Sequence, residues 1–385
     1  MNELDRIRTD VVGSLLRPAR WKEARLALET GKLSPQEFAG IELECVERHV
    51  ALQEKTGLDV VTDGEVSRLN FQDSFGLAVS GYQIGELRGS DTVGTHERRV
   101  AGSTPLARWE IPDLAAPGTP VVHRRPVVKK LELVRNPPLD EYRRVAPLAK
   151  KPVKVSLIGP DRVMQRFDHA GSKAVYASVD AFVDDVVAIQ RRMIQALVDA
   201  GCKYVHIDEP GYTAYVDEPS LEAMRKRGED PMQNFSRSLR ANAKLVENFP
   251  GVTFGIHLCR GNQRSMWHRE GSYDAIAERL FNELPHQRFL LEYDSPRAGS
   301  FAPLRFVPKD KIVVLGLVST KVPELEPADA LASRIEEAAK YVPLERLAIS
   351  PQCGFGSDVV GNLISEDDQK RKLERVVEVA RRVWR

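Results

Sequence analysis

His257 and Cys259 follow an apolar run, Val252 to Ile256, and stand two residues apart in Gly255-Ile256-His257-Leu258-Cys259-Arg260-Gly261-Asn262. The run reads as a strand, and residues i and i+2 of a strand project from one face. An imidazole and a thiolate placed this way can grip one metal ion. Zinc takes four protein ligands, or three with an open position, so other segments must supply the rest. Glu292, in Leu291-Glu292-Tyr293-Asp294, and Cys353, in Ser350-Pro351-Gln352-Cys353-Gly354, also end apolar runs. With His257 and Cys259 they make an N/S/O/S set suited to Zn2+.

Two thiolates, a carboxylate and an imidazole around a divalent ion leave roughly −1 in total charge. That charge is ill suited to making a hydroxide nucleophile and well suited to holding a substrate thiol. A free thiol has a pKa of about 8.5 and is mostly protonated at pH 7. Coordination removes that handicap. The implied reaction is alkylation of a thiol, with the metal as activator and template.

Bringing residues 257, 259, 292 and 353 together is the task of the elements between them. Eight short apolar runs recur, most followed by helical patterns. They are Thr9 to Ser14, Leu58 to Glu65, Val153 to Pro160, Tyr204 to Pro210, Val252 to Asn262, Arg288 to Asp294, Ile312 to Val318 and Leu347 to Gly354. Helical periodicity covers Val179 to Asp199, Ser220 to Asn248 and Asp367 to Trp384. Strands alternating with helices predict a parallel sheet, and eight is the number that closes a (β/α)8 TIM barrel. The expected fold is therefore α/β, a single barrel over residues 1–385. The residues at the C-terminal strand ends share one mouth. An open doubly wound sheet is the competitor, but no Gly-rich dinucleotide fingerprint follows the first strand.

The segment from about 81 to 151 breaks the repeat. It is rich in Gly, Pro, Thr and Arg with alternating Val, as in Thr119-Pro120-Val121-Val122-His123-Arg124-Arg125-Pro126-Val127-Val128. It reads as a β-rich insertion between strands two and three, folded over the active end.

Composition bounds the function classes. The chain has 385 residues, 56 basic and 55 acidic, for a formal net charge of +1. This balance gives no general electrostatic reason to bind nucleic acid or an acidic membrane. No apolar run reaches the ~20 residues needed to span a bilayer, and Met1-Asn-Glu-Leu-Asp-Arg lacks the apolar core of a secretory signal. The expected location is cytoplasmic. Cys45 and Cys202 lie in amphipathic or strand-edge contexts and read as small buried hydrophobes. Four dispersed cysteines do not make a disulfide framework.

Taken together, Val12-Gly13-Ser14, Asp63-Gly64-Glu65, Ile207-Asp208-Glu209-Pro210, His257-x-Cys259, Glu292 and Pro351-Gln352-Cys353-Gly354 resemble the cobalamin-independent methionine synthase family. The similarity is to single-barrel members related to its C-terminal catalytic half. It covers nearly the whole chain in order, apart from the insertion. The resemblance implies a 5-methyltetrahydropteroyltriglutamate–homocysteine methyltransferase-like activity with catalytic Zn2+ held by His257, Cys259, Glu292 and Cys353. It also implies homocysteine recognition at Ser14, Glu65 and Asp208. Two carboxylates can pair with an α-ammonium, and donors near Ser14 suit the α-carboxylate. Arg17 is a further carboxylate partner on our own reading. Glu65 and Asp208 could equally cap strands and satisfy loop amides.

One departure bears on the methyl donor. Full synthases carry Asp-x-His-Ser after the seventh strand, and this chain has Gly316-Leu317-Val318-Ser319-Thr320-Lys321. Lys321 either takes an acid's role or lies on the surface. The donor is then a folate, a methylcorrinoid or another methylated molecule. Two other readings remain: a thiol such as coenzyme M attacking an epoxide or methylated donor, and a zinc- or thiol-binding protein without turnover. Arg260, Arg297, Trp267 and His268 are secondary candidates near the pocket.

Overall fold

The computed structural model describes residues 3–83, 104–108 and 126–384. Six parallel strands form its centre in sequential order: β3 (Lys154–Ile158), β4 (Tyr204–Asp208), β5 (Thr253–Leu258), β6 (Arg288–Glu292), β7 (Ile312–Val318) and β8 (Leu347–Pro351). Every residue of all six is buried. Strands covered on both faces carry continuous apolar runs rather than alternation, which is why these six were legible in the sequence. Two antiparallel strands, β1 (Val79–Tyr82) and β2 (Val127–Leu133), form a separate ribbon.

The first two expected strands are each reduced to a single parallel bridge. Thr9 pairs with Ile349 at one edge of the sheet, and Val61 with Val153 at the other. The reason is local: side chains take hydrogen bonds a ladder would need. Arg8 and Thr9 N–H both donate to Asp59 Oδ2, Asp59 N–H donates to Thr9 Oγ1, and Thr62 N–H donates to Gln53 Oε1. Segment 8–12 is fastened instead by Asp10, buried beneath the strand starts. Its carboxylate meets Lys154 at 2.7 Å, Tyr204 Oη at 2.7 Å and Arg288 at 3.4 Å. Burial alone would push Asp10 up, but Lys154 and Arg288 outweigh it and hold it below the ordinary carboxylate range.

The helices follow from caps. Pro35–Thr56 opens on a capping box, Ser34 with Glu37, and stops at Gly57 with φ +92°, the left-handed geometry glycine accepts. Cys45 is buried on this helix. Val179–Asp199 has the predicted bounds, with Ser178 accepting from Ala181 N–H. The expected helix over 220–248 is two helices, Glu218–Lys226 and Pro231–Val246. Gly228 with φ +74° breaks it, and Asp230 with Pro231 starts the second. Glu366–Val383 closes the fold from a second capping box at Ser365.

The insertion is seen in part. Residues 84–103 and 109–125, including most of the Thr119–Val128 stretch, lie outside the described residues. The described remainder contains the β1–β2 ribbon and a helix, Pro137–Val145. That helix was not anticipated. Asn136 caps it by accepting from Leu139 N–H, prolines fill its first turn, and Leu139 and Val145 bury its inner face. Among the described residues no helix is long and apolar enough to cross a membrane.

Candidate metal centre

Register carries the site residues to one level. Asp208 on β4 pairs with His257 on β5, which pairs in turn with Leu290 on β6. The rung after Leu258–Leu291 sets Cys259 level with Glu292, whose Oε2 accepts from Arg260 N–H at 2.5 Å. Cys353 comes from the loop after β8. The donor atoms of His257, Cys259 and Cys353 lie within 4.8 Å of one another, and all three residues are buried. Glu292 is fully buried beside them and is outside this three-residue group.

His257 Nδ1 lies 3.1 Å from Leu290 O. A carbonyl only accepts, so Nδ1 carries the proton, and Nε2 has its lone pair in the neutral ring; burial opposes charging the ring, but Cys353 outweighs it and pushes His257 up. Nε2 is buried without a hydrogen-bond partner, as is Glu292 Oε1. A hydrogen bond from Cys259 holds the Cys353 thiol well below its ordinary value, helped by His257. Cys259 is pushed well above, chiefly by that same bond and by burial. Burial pushes Glu292 up, and the Lys321 ammonium opposes the rise. Lys321 is not a surface lysine: it is 0% exposed, with Nζ lacking a hydrogen-bond partner.

A polar web ties the ligand loops together. Asn262 Nδ2 donates to Gly354 O at 2.6 Å, and Asn362 Nδ2 donates to Asn262 Oδ1 at 2.9 Å and Thr320 O at 2.8 Å. The loop of Cys259 is thereby fixed to that of Cys353. Asn262→Ala is expected to loosen the pair. Measured by competition with a chelator, zinc affinity should fall about 10–100-fold, the usual effect of losing a supporting contact; an unchanged affinity would show the web to be idle.

The other predicted residues gather beside this centre. Glu65 follows Gly64 in a left-handed turn, φ +75° then +53°, a strained conformation for glutamate that costs about 1–3 kcal/mol. Its carboxylate packs against Gly13, where a Cβ would lie 2.7 Å from Oε1. Ser156 Oγ donates to Oε1 at 2.6 Å, Arg68 stands 3.3 Å away, and buried Oε2 has no partner. Burial pushes both Glu65 and Asp208 up, and Asp208 adds to the rise at Glu65. Ser14 abuts Gly354, where a Cβ would fall 1.9 Å from its Oγ. Arg17 is differently placed from our expectation. Its terminal nitrogens donate to the carbonyls of Leu15, Gly356, Glu65 and Arg68, so it clamps three loops, and only Nε lacks a partner.

Arg260 is likewise spent on structure, through Gly271 O, Tyr273 Oη and Glu292 O. Arg297 stands 3.8 Å from both Glu292 and Asp294. Sequence reasoning missed Arg68, which joins Glu65 to Glu141 (2.6 Å) and Ser156 O (2.7 Å) in full burial. The i, i+3 spacing from Glu65 was the available signal.

A cleft of about 70 Å³, reached by solvent, ends on Cys259, His257, Cys353 and Asp208. A solvent-reached cleft ending on two thiols and an imidazole at the ends of parallel strands defines an α/β protein with a donor set that could hold a thiophilic metal. A family model described as the catalytic domain of cobalamin-independent synthases matches residues 7–103 and 289–381. The chain belongs to the cobalamin-independent methionine synthase family. It is 33% identical to the uncharacterized protein YxjH of Bacillus subtilis (strain 168) over 383 residues, 98% of this chain and 95% of that one. It is 23% identical to a methionine synthase of Thermococcus kodakarensis over 92% of this chain and 88% of that one. In fold it is similar to the putative vitamin-B12 independent methionine synthase of Listeria monocytogenes, with a TM-score of 0.70 at 24% identity, covering 98% and 97% of the two chains.

Proposed function

We propose that the chain is a zinc-dependent S-methyltransferase that converts homocysteine to methionine. The observation that carries this reading is the convergence of His257, Cys259 and Cys353 donor atoms within 4.8 Å, with His257 Nε2 unpartnered. Imidazole nitrogen and two sulfurs are zinc donors, and the orphaned Glu292 Oε1 is a fourth available to it. Zinc held there would keep a substrate thiol ionised near neutral pH.

The remaining roles belong to the chain. Glu65 and Asp208, both raised by burial, are relieved by an approaching ammonium. This favours a thiol bearing an amine over coenzyme M, which has none. Ser14, beside the Cys353 loop, is positioned for the α-carboxylate, and Arg17 acts by holding the loops of Ser14 and Glu65 in place. The same reading closes the sheet into a (β/α)8 barrel, with the bridged segments at Thr9 and Val61 as its first two members. The methyl donor is a folate, a methylcorrinoid or another methylated molecule, and the location is cytoplasmic.

The test is zinc analysis of metal-replete protein, then methionine production from homocysteine with methyltetrahydrofolate in mono- and polyglutamate forms, methylcobalamin and S-methyl compounds. About one zinc per chain and methionine from one donor are expected. Asp208→Asn should raise the homocysteine KM at least tenfold with zinc content unchanged. Zinc without methionine from any donor would overturn the substrate, and no zinc would overturn the centre itself.

A further inference from the structure

Away from the sulfurs, two side chains of the cleft wall keep donors that lack acceptors. Its wall carries Arg162, Arg166, Gln263 and His268. Arg162 Nη1 donates to Gln165 Oε1 at 3.2 Å, and its Nε is buried with no hydrogen-bond partner. Gln263 Nε2 is also buried without one. Behind them Arg269 spends Nη1 on Pro210 O at 2.6 Å and leaves Nε unpartnered.

The neighbouring acids Asp161, Glu209 and Asp217 offset part of this charge, but none accepts from the unpartnered Nε groups. Asp161 accepts from Tyr215 Oη and Gln165 Nε2, and Glu209 accepts from the Asp161 and Arg162 N–H groups and from Asn242. His268 registers the resulting field. Burial and then Arg269, Arg162, Lys321 and Arg108 hold it well below its ordinary value, so it is neutral amid four cations. Gly261, with φ +101°, makes its position possible, because a Cβ there would lie 2.1 Å from His268 Nδ1. Burial and Arg269 also bring Arg162 down to about 10. Like charges gathered in a solvent-reached cleft, with orphaned donors, call for an anion.

We propose that Arg162, with Gln263 and the charge of Arg269 behind it, receives an oxyanion (phosphate, sulfonate or carboxylate) carried by the alkyl donor. The assignment to the donor rests on the thiol-alkylation reading above, because Glu65, Asp208 and Ser14 already account for the polar head of the acceptor. The anion subsite itself does not depend on that reading. Oxyanion recognition on this wall makes the donor a charged molecule and sets its alkyl group toward the sulfurs at the cleft floor.

Calorimetric titration of the full chain, with and without zinc, tests this with inorganic phosphate and methanesulfonate as probes. Saturable binding is expected, weakened at least tenfold in Arg162→Gln, largely restored in Arg162→Lys, and unchanged in the exposed control Arg225→Gln. Binding that Arg162→Gln leaves untouched, or no saturable binding of either anion, overturns the subsite. Homocysteine should bind in the presence of saturating phosphate. Mutual exclusion would place the anion in the acceptor's pocket and overturn the assignment to the donor. Because the titration needs neither metal nor turnover, it fails or succeeds separately from the metal centre.

Discussion

Cys353→Ser is expected to abolish zinc retention and methyl transfer together while leaving the fold in place. Cys353 is buried in a loop after β8, and its sulfur is one of only three donors gathered within 4.8 Å among the described residues. A serine oxygen occupies the space but is a poor zinc ligand beside a thiolate. Loss of a supporting contact around a metal site costs about 10–100-fold in affinity, so loss of a ligand should exceed about 100-fold. The measurements are metal content after dialysis against a chelator, methionine formation, and circular dichroism as the control for folding. A variant that keeps its zinc would sink the ligand set, whatever its activity. Unfolding would be unexpected, because the Cys353 sulfur makes only a long contact, 3.7 Å, to Ser357 Oγ outside the cluster.

Arg68→Met should be the most destabilising single change near the site. Its guanidinium is 2% exposed and lies against Glu65, Glu141 and Ser156, with Glu141 equally buried. Removing one member of a buried ionic network strands the others, at a cost of about 3–5 kcal/mol. Burial alone would lower the Arg68 pKa, but Glu141 and Glu65 outweigh it and raise it. The double variant Arg68→Met/Glu141→Gln should recover part of that loss. Urea unfolding of the two variants decides the matter, and a cost below about 1 kcal/mol would show the network to be screened like a surface pair. Homocysteine binding should weaken as well, because Glu65 loses the group that orients it.

How much of this was legible in the sequence varied with the kind of interaction. β3 to β8 were readable because strands buried on both faces carry largely apolar runs rather than alternation, and Ile312–Val318 is the plainest case. The first two members of the expected barrel were legible as positions but not as full strands, because Asp59, Thr9 and Gln53 replace ladder bonds with side-chain bonds. Periodicity does not register such replacements. In the site, His257 and Cys259 declared themselves by spacing on one strand. Arg17 and Arg68 did not, since an arginine bound to carbonyls reads the same as one bound to a substrate. Lys321 had been open between an acid and a surface group, and only packing removed the second option.

The two ends of the chain meet at the sheet edge, where Asp10 N–H donates to Ile349 O and Ile349 N–H donates to Arg8 O. Ser14 sits against Gly354 a few residues further along both segments. During synthesis, the first of these partners emerges more than three hundred residues before the second. The Cys259 thiol and the His257 imidazole are likewise made long before Cys353 arrives. A chain released short of residue 353 therefore carries two of the three clustered donors and half of the Ser14 pocket. A metal held as proposed would therefore load late, once the segment carrying Cys353 has been made and has folded back beside Ser14.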